Sequence, residues 1–173
     1  MTVPDVALLS PYLRETIELL GEQDPLRVMA STPSWIAAKI EGCSHLMLSR
    51  PEAPGRWSVR EVVAHLADAE VAFGWRARIL LTADRPALTG FDESAWMTRF
   101  DSANAELHES LAAFTALRAW NMRVWSCATD ADLDRVGVHA ERGPETFGFV
   151  RSLVAGHDLR HRRQIDRILQ APH

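Results

Sequence analysis

The chain has 173 residues, 47% of them hydrophobic, which is enough apolar surface to bury the core of a single domain. Its formal net charge of -4 provides no positive field that would gather nucleic-acid phosphates. The N-terminal sequence MTVPDVALLSPYLRE lacks the basic start and long apolar run of a signal peptide. The sequence also contains no run of about 18 apolar residues, the length that would predict a membrane span. We therefore expect a cytoplasmic protein that binds neither nucleic acid nor membrane.

Helical periodicity recurs along the chain, whereas the alternation typical of strands is scarce, and this predicts an all-α fold. A short helix over residues 6–20 is expected to end at Gly21. We divide the chain into an N-terminal helical extension, residues 1–30, and one bundle domain, residues 31–173.

The first two core helices have clear start signals. Hydroxyl side chains before Pro33 predict the N-terminus of the first, over residues 31–47, because proline is tolerated in an opening turn. Ser58 and Glu61 have the spacing of a capping box, in which serine and glutamate satisfy free amides reciprocally. The second core helix therefore begins after Ser58 and runs to about residue 82.

The rest of the chain predicts two more long helices. A loop over residues 84–91 precedes a short turn of helix around Trp96, and the third core helix spans residues 103–127. Residues 130–144 are irregular, and the fourth core helix spans residues 145–170. Four long helices predict a four-helix bundle, in which functional sites form from side chains on facing helices.

Two histidines occupy positions on the fourth helix where apolar residues are expected. At about 100° per residue, they share one face with apolar side chains. The members of this face are His157, His161, Val150, Leu153 and Val154. Imidazoles four residues apart on an inward face have the spacing that lets two nitrogens bind one metal ion. A third ligand must then come from another helix.

His65 is the candidate third ligand. It shares a stripe of the second core helix with Val62, Ala69 and Ala72, so it also points inward, and the small alanines leave room for an ion or a substrate. Three protein ligands leave coordination positions open, as in catalytic metal sites. Inward histidines can equally be core side chains that bond to carbonyls, and spacing leaves both interpretations open.

Three segments of the chain resemble the DinB superfamily, in particular its YfiT-like branch of metal-dependent hydrolases. They are RWSVREVVAHL at residues 56–66, LTGFD at residues 88–92 and AGHDLRH at residues 155–161, and the resemblance covers nearly the whole chain. It implies a four-helix bundle of up-down-down-up topology that commonly forms a homodimer. It also implies a nickel or zinc ion with three histidine ligands, His65, His157 and His161.

Arg160 marks a departure from the family pattern. Members often carry a further histidine and an apolar residue in the last motif, whereas here Arg160 precedes His161. The ligand pair four residues apart stays intact, but a cation is placed near the pocket edge. A relative's substrate therefore does not transfer to this chain.

A metal-dependent hydrolase that acts on a small molecule is the first functional hypothesis. A bound ion polarises a substrate oxygen or lowers the pKa of bound water. Asp68, three residues after His65, is the candidate base or orienting carboxylate, with a solvated carboxylate at the helix edge as the alternative. Gln164, one turn beyond His161, is a candidate donor to water on the ion or a satisfied interhelical amide.

The second hypothesis is a transferase or isomerase that uses a low-molecular-weight thiol such as bacillithiol or mycothiol, because the DinB superfamily includes such enzymes. The ion would activate the thiol, so no protein cysteine is needed. Arg76 and Arg160 are the candidate residues for binding an anionic thiol cofactor, although Arg76 can equally reach solvent or pair with a carboxylate. A third hypothesis is a noncatalytic dimer in which the ion braces the bundle.

Overall fold

The computed structural model describes residues 10–171. The α-helices in this range are α1 (Pro11–Leu20), α2 (Pro25–Ile40), α3 (His45–Ser49), α4 (Val59–Thr82), α5 (Glu93–Arg99), α6 (Leu107–Cys127) and α7 (Phe147–Gln170). Three short strands are β1 (Ala87–Leu88), β2 (Val136–His139) and β3 (Gly143–Thr146). The four long helices form the predicted bundle, in which α6 and α7 each pack on both α2 and α4.

The bundle interior has two apolar clusters, one around Trp125 and Phe147 and one around Ile36 and Phe114. It also buries a group of polar side chains, most of which the sequence did not predict as buried. This group includes His65, Glu70, Arg118, Asn121, His157, Asp158 and His161. Within residues 10–171, no helix is both long enough and apolar enough to cross a membrane.

Helix α2 begins earlier than predicted. Asp24 caps it by accepting a hydrogen bond from a first-turn amide (2.9 Å), and Pro25 occupies the opening turn. Pro33 therefore lies inside the helix, where it lacks the N–H that would bond to the Met29 carbonyl. That carbonyl instead accepts a hydrogen bond from Arg118 on α6 (2.7 Å). This long-range contact compensates for the missing amide, and no local pattern reveals it.

The helix predicted over residues 31–47 is interrupted after Ile40. A turn through Gly42, whose φ is 73°, leads to the five-residue helix α3, which Ser44 caps. A positive φ favours glycine and ends a helix, so the prediction missed a break that Gly42 signals.

The capping box at the start of α4 is confirmed. The Ser58 amide donates to the Glu61 carboxylate (2.8 Å), and the Glu61 amide donates to the Ser58 hydroxyl (3.4 Å). Helix α4 then continues to Thr82, as predicted. Helices α6 and α7 begin at Leu107 and Phe147, slightly later than predicted.

The two connections predicted to be irregular contain a small three-stranded sheet. Strand β1 pairs in parallel with β2, and β2 pairs in antiparallel fashion with β3. Strands of two to four residues are too short to show an alternating pattern in the sequence. The sheet brings His139, at the end of β2, beside Gly90 in the preceding connection. It therefore forms a wall next to α4.

Helix α1 packs against α7 and ends at Gly21, as predicted. The first residues of the helix predicted over residues 6–20 lie outside the described residues. Helix α2 spans the boundary proposed at residue 30, and the division of the chain into two units stays a prediction. The contact between α1 and α7 is close, because a Cβ atom on Gly156 would lie 2.1 Å from the Thr16 carbonyl oxygen.

Gly156→Ala should lower the free energy of unfolding by at least about 1–3 kcal/mol, the usual cost of overpacking, because the obstacle is backbone that cannot rotate away. Urea denaturation followed by circular dichroism measures the change. Ser152→Ala, on the same helix, is the matched control and should change stability by less than about 0.5 kcal/mol. Equal stability of the two variants would contradict the close packing of α1 on α7.

Candidate metal centre

Three histidine side chains converge inside the bundle. His65 on α4 and His157 and His161 on α7 are each at most 6% exposed. The Nε2 atom of His157 lies 3.0 Å from Nε2 of His65 and 3.1 Å from Nε2 of His161. All three candidate ligand atoms lie within 4.8 Å of one another. The structure thus brings together the three residues that the sequence singled out as ligands.

The separations of Nε2 of His157 from the other two Nε2 atoms, 3.0 and 3.1 Å, fit nitrogens that share one ion. Two nitrogens bonded to the same zinc ion can be at most about 4 Å apart, twice a bond of about 2.1 Å. The Nδ1 atom of His161 donates to Oε1 of Gln164 (2.9 Å), so Nε2 of His161 presents a lone pair to its neighbours. A single proton on Nε2 of His157 could satisfy only one of its two contacts. A cation at the centre would satisfy all three nitrogens, so the donor set fits a metal ion.

Of the two alternatives for Gln164, a donor to water and a satisfied amide, its contacts resemble the second. Its Oε1 accepts from His161, and its Nε2 donates to Glu52 (3.3 Å), which in turn accepts from Arg167 (2.6 Å). Both ends of the amide are therefore engaged. Such partners fix the tautomer and the ring orientation of metal-binding histidines, so Gln164 is placed as a positioning residue.

Burial keeps the three imidazoles neutral. It lowers the pKa of His65 to about 3 and the pKa of His161 to about 4. Burial also lowers the pKa of His157 well below its ordinary value, and positive charge on the neighbouring imidazoles would lower it further. Neutral imidazole is the form that binds metal, so the site is in the binding form at neutral pH.

The metal-free protein should lose stability as the pH falls below about 6.5. The unfolded chain then binds protons on histidines whose folded pKa is depressed, so each group contributes about 1.4 kcal/mol per pH unit until its folded pKa is reached. For His161 and His65 the window extends down to about pH 4 and about pH 3. Urea denaturation between pH 7 and pH 5 measures the slope.

The matched variant for this titration is His65→Leu. The free energy of unfolding of His65→Leu should fall less steeply with pH than that of the unaltered chain, by about 1.4 kcal/mol per pH unit. The carboxylates contribute equally to both proteins, so their contributions cancel in this comparison. Identical slopes would show that His65 is protonated alike in the folded and unfolded chains.

An apolar shell surrounds the histidines. The Trp57 ring lies 4.8 Å from the His65 ring and stacks on His161 at 6.3 Å. Phe73 meets His157 edge-on at 5.9 Å. These rings cover part of the imidazole surfaces, and their low dielectric strengthens electrostatic interactions at the centre.

A buried charge network lies next to the histidines. Arg118 on α6 donates to Asp158 on α7 (2.9 Å) and lies 2.9 Å from Glu70 on α4. Burial disfavours the charged guanidinium, but the two carboxylates outweigh it and raise the pKa of Arg118 above its ordinary value. Asp158 directly follows His157, so the network fixes α7 relative to α4 and α6 at the level of the candidate ligands.

Two cavities open beside the histidines. The first cavity, about 470 Å³, reaches His157, and the second cavity, about 300 Å³, reaches His161. Tyr12 and Glu93 line both. These volumes lie in or near the range of small-molecule sites. The candidate metal centre is therefore accessible from two sides.

The structure places Glu93, rather than Asp68, near the histidines. Asp68 is half-buried, lines neither of the two cavities and has no hydrogen bond with another of the described residues. The Oε2 atom of Glu93, on α5, lies 3.9 Å from Nε2 of His65, and burial followed by the charge of Asp92 raises the pKa of Glu93.

The two arginines predicted to bind a cofactor border different cavities. Arg76 is buried in the wall of the first cavity and donates two hydrogen bonds to the Thr89 carbonyl. It neither reaches solvent nor forms an ion pair with a described carboxylate, contrary to both alternatives considered for it. Arg160 borders the second cavity as predicted, but it pairs with Glu15 (2.6 Å) and lies over the Tyr12 ring.

Sequence reasoning missed Glu93, Trp57 and His139 as residues of the site. Trp57 stands one residue before the capping box, inside a segment that carries the family resemblance, and this was an available signal. Glu93 directly follows the LTGFD segment, but it lies on neither of the two helices that carry the histidines, so helical spacing could not relate it to them. His139 lies in a strand too short to be predicted, so no local signal identified it.

The fold and the site together define a class of protein. It is a helical bundle in which two facing helices bring three neutral histidines together beside open cavities. The sequence model of the DinB superfamily matches residues 35–165. The chain belongs to this superfamily.

The relatives of the chain agree with this assignment. "Putative metal-dependent hydrolase YfiT" of Bacillus subtilis is 30% identical over 128 residues, which cover 74% of this chain and 72% of the relative. "Putative metal-dependent hydrolase GK0616" of Geobacillus kaustophilus is 28% identical over 83% of this chain and 81% of its own. The solved structure of the Bacillus subtilis protein, described as a probable metal-dependent hydrolase with an unusual four-helix bundle topology, superposes with a TM-score of 0.78. It has 28% identity and covers 83% of each chain.

Proposed function

We propose that this chain is a metal-dependent hydrolase of a small molecule, with a nickel or zinc ion bound by His65, His157 and His161. The observation that carries the proposal is the convergence of three buried, neutral Nε2 atoms beside two cavities. The names of the relatives support the hydrolase class. A bound ion would polarise a substrate oxygen and lower the pKa of water.

The chain's own side chains supply orientation and proton transfer. Gln164 holds His161 with its Nε2 atom toward the centre, and Trp57 shields two of the imidazoles from bulk water. Glu93 is the candidate proton acceptor, because its carboxylate lies 3.9 Å from Nε2 of His65 and lines both cavities.

Metal-loaded protein should hydrolyse a simple ester such as 4-nitrophenyl acetate, and chelation should abolish the turnover. Glu93→Gln should lower kcat by about 10²–10⁴-fold, the usual contribution of a general base, with metal content unchanged. Asp68→Asn makes the same chemical change at a carboxylate that lines neither cavity, and its kcat should stay near that of the unaltered chain.

Two outcomes would contradict this proposal. Turnover that survives chelation, or purified protein that binds no nickel or zinc by elemental analysis, would exclude the metal-dependent hydrolase. A larger loss in Asp68→Asn than in Glu93→Gln would restore Asp68 as the catalytic carboxylate.

A thiol-dependent transferase or isomerase is the second candidate, and the buried cation Arg76 in the first cavity favours it. Bacillithiol or mycothiol should then raise the melting temperature of the metal-loaded protein but not that of the metal-free protein. Ester turnover without a thiol response favours the hydrolase.

A noncatalytic metal protein would lose melting temperature on chelation and show no turnover. We also expect a homodimer, which analytical ultracentrifugation measures.

A further inference from the structure

The first cavity contains polar hydrogen-bond donors that the proposed hydrolase chemistry does not use. Its wall includes the rings of Phe73 and Phe91 and the side chain of Leu153, and it reaches His157. A cavity of about 470 Å³ whose wall is partly apolar is large enough for a small organic molecule. The polar groups in such a wall determine which molecule is bound.

Arg76 is a buried cation that no hydrogen-bonded carboxylate neutralises, and the charge of Glu145, the partner of Arg142, acts on it only from beyond ion-pair contact. It is 4% exposed, and its Nε and Nη2 atoms both donate to the single Thr89 carbonyl, at 3.1 and 2.6 Å. No carboxylate of a described residue forms an ion pair with it, and its guanidinium lies over the Phe73 ring at 5.2 Å. Burying an unpaired charge is costly, so such a group calls for an anionic partner.

His139 lines the same cavity and carries a second donor without a partner among the described residues. Its side chain is 1% exposed, and its Nδ1 atom accepts a hydrogen bond from the Glu141 amide (3.2 Å). The proton of the neutral ring therefore resides on Nε2, which is buried and has no partner among the described residues. Burial lowers the pKa of His139, which keeps the ring in this neutral form. Gly90 keeps the adjacent space open, because a Cβ atom there would lie 3.8 Å from Nε2.

The other charged groups of the cavity wall do not satisfy these donors. Arg142 donates both of its hydrogen bonds to Glu145 and is thereby neutralised. Asp92 caps α5, and Glu93 extends toward His65. Glu141 lines the cavity without a side-chain bond to either donor. Arg76 and His139 are therefore both available to a ligand.

We propose that Arg76 and His139 form an oxyanion subsite, and that the substrate is a small acid whose carboxylate or phosphate group binds there. The apolar part of the wall, formed by Phe73, Phe91 and Leu153, covers the body of the molecule, and its reactive group lies toward His157. The position of the reactive group rests on the proposed hydrolase function, whereas the subsite itself does not require the ion.

Isothermal titration calorimetry at neutral pH tests the subsite with three probes of similar size: phenylacetate, phenyl phosphate and the neutral phenylacetamide. At least one of the two anions should bind at least about tenfold more tightly than the amide. Tighter binding of phenylacetate identifies a carboxylate ligand, and tighter binding of phenyl phosphate identifies a phosphate ligand. Equal binding of all three probes, or no binding of either anion, overturns the proposal.

Three variants assign the preference to residues. Arg76→Gln should abolish the preference for the anion over the amide, and His139→Gln should reduce it severalfold. Arg123→Gln removes a positive charge from an exposed position on α6 and should leave the preference unchanged. Because the measured quantity is a ratio of affinities for two probes, a merely structural role of Arg76 would not change it. The proposal is overturned if the ratio of anion to amide affinity is unchanged in both His139→Gln and Arg76→Gln. If Arg76→Gln does not fold, an unchanged ratio in His139→Gln alone overturns it.

Metal content measured on the same samples separates this inference from the proposed function. A protein that binds no metal but shows the Arg76-dependent preference would refute the metal-dependent hydrolase and support the subsite. A metal-loaded protein without the preference would refute the subsite alone.

Discussion

Replacing Arg118 by alanine should lower the free energy of unfolding by about 3–5 kcal/mol, the typical effect of removing one partner from a buried ion pair. The change leaves Glu70 and Asp158, which are 2% and 0% exposed, without the cation that both contact. It also removes the donor to the Met29 carbonyl, which Pro33 leaves without its helical partner. Urea denaturation at neutral pH measures the loss.

Arg123→Ala is the matched control for this experiment, because it removes an exposed arginine from the same helix. Its stability should change by less than about 0.5 kcal/mol. A triple variant, Glu70→Leu with Arg118→Met and Asp158→Leu, should recover much of the loss, because apolar residues of similar volume often replace a buried ionic cluster without cost. A loss below about 1 kcal/mol in Arg118→Ala would show that the carboxylates find other partners or are protonated.

His157→Ala should weaken nickel or zinc binding by more than about 100-fold. Loss of a group that merely orients a ligand costs about 10–100-fold in metal affinity, and loss of a ligand itself should cost more. His157 is the most central of the three histidines, because its Nε2 atom lies 3.0 and 3.1 Å from the other two. Competition with a chromophoric chelator measures the affinity.

The control for metal binding is His108→Ala, which removes an exposed histidine from α6 and should leave the affinity unchanged. If His157→Ala does not fold, His161→Gln provides a second ligand variant with a smaller change of volume. Metal affinity equal to that of the unaltered chain in either ligand variant would contradict the assignment of the centre. Equal losses in the ligand variants and in His108→Ala would indicate nonspecific binding.

The buried charge network and the candidate metal centre meet at adjacent residues of α7. Asp158 receives the Arg118 hydrogen bonds, and His157 precedes it on α7. We therefore expect Arg118→Ala to weaken metal binding as well as stability. The charge network holds the helices in the relative positions that three ligands from two helices require.

Local patterns predicted much of the helical framework. Ser58 and Glu61 form a capping box because the two residues that satisfy each other are three positions apart, and the prediction of α4 is confirmed from its first residue to its last. The predicted start of α2 was wrong because Pro33 was taken as the opening-turn proline, whereas Asp24 and Pro25 supply the cap and the opening-turn proline earlier in the chain. Inside α2, the Met29 carbonyl that Pro33 leaves without an amide donor accepts a hydrogen bond from Arg118, which is far away in sequence.

The residues of the candidate site also fall into two groups, those that helix geometry predicts and those that only the tertiary structure brings together. The spacing of four residues between His157 and His161, and the inward stripe of His65, follow from helix geometry and required no tertiary information. Whether a carboxylate stands beside them depends on where α5 lies. Helix periodicity favoured Asp68, whereas the tertiary structure places Glu93 3.9 Å from His65.

Local periodicity and capping thus specified the helices, their inward faces and the two histidines on α7. Packing between distant segments specified the surroundings of those histidines: the carboxylate of Glu93, the Glu52 carboxylate that accepts from Gln164, the buried guanidinium of Arg76 and the unpaired Nε2 donor of His139. The physical reason is that helix geometry relates residues only a few positions apart. The counter-charges and hydrogen-bond partners of a buried group come from whichever segments fold against it.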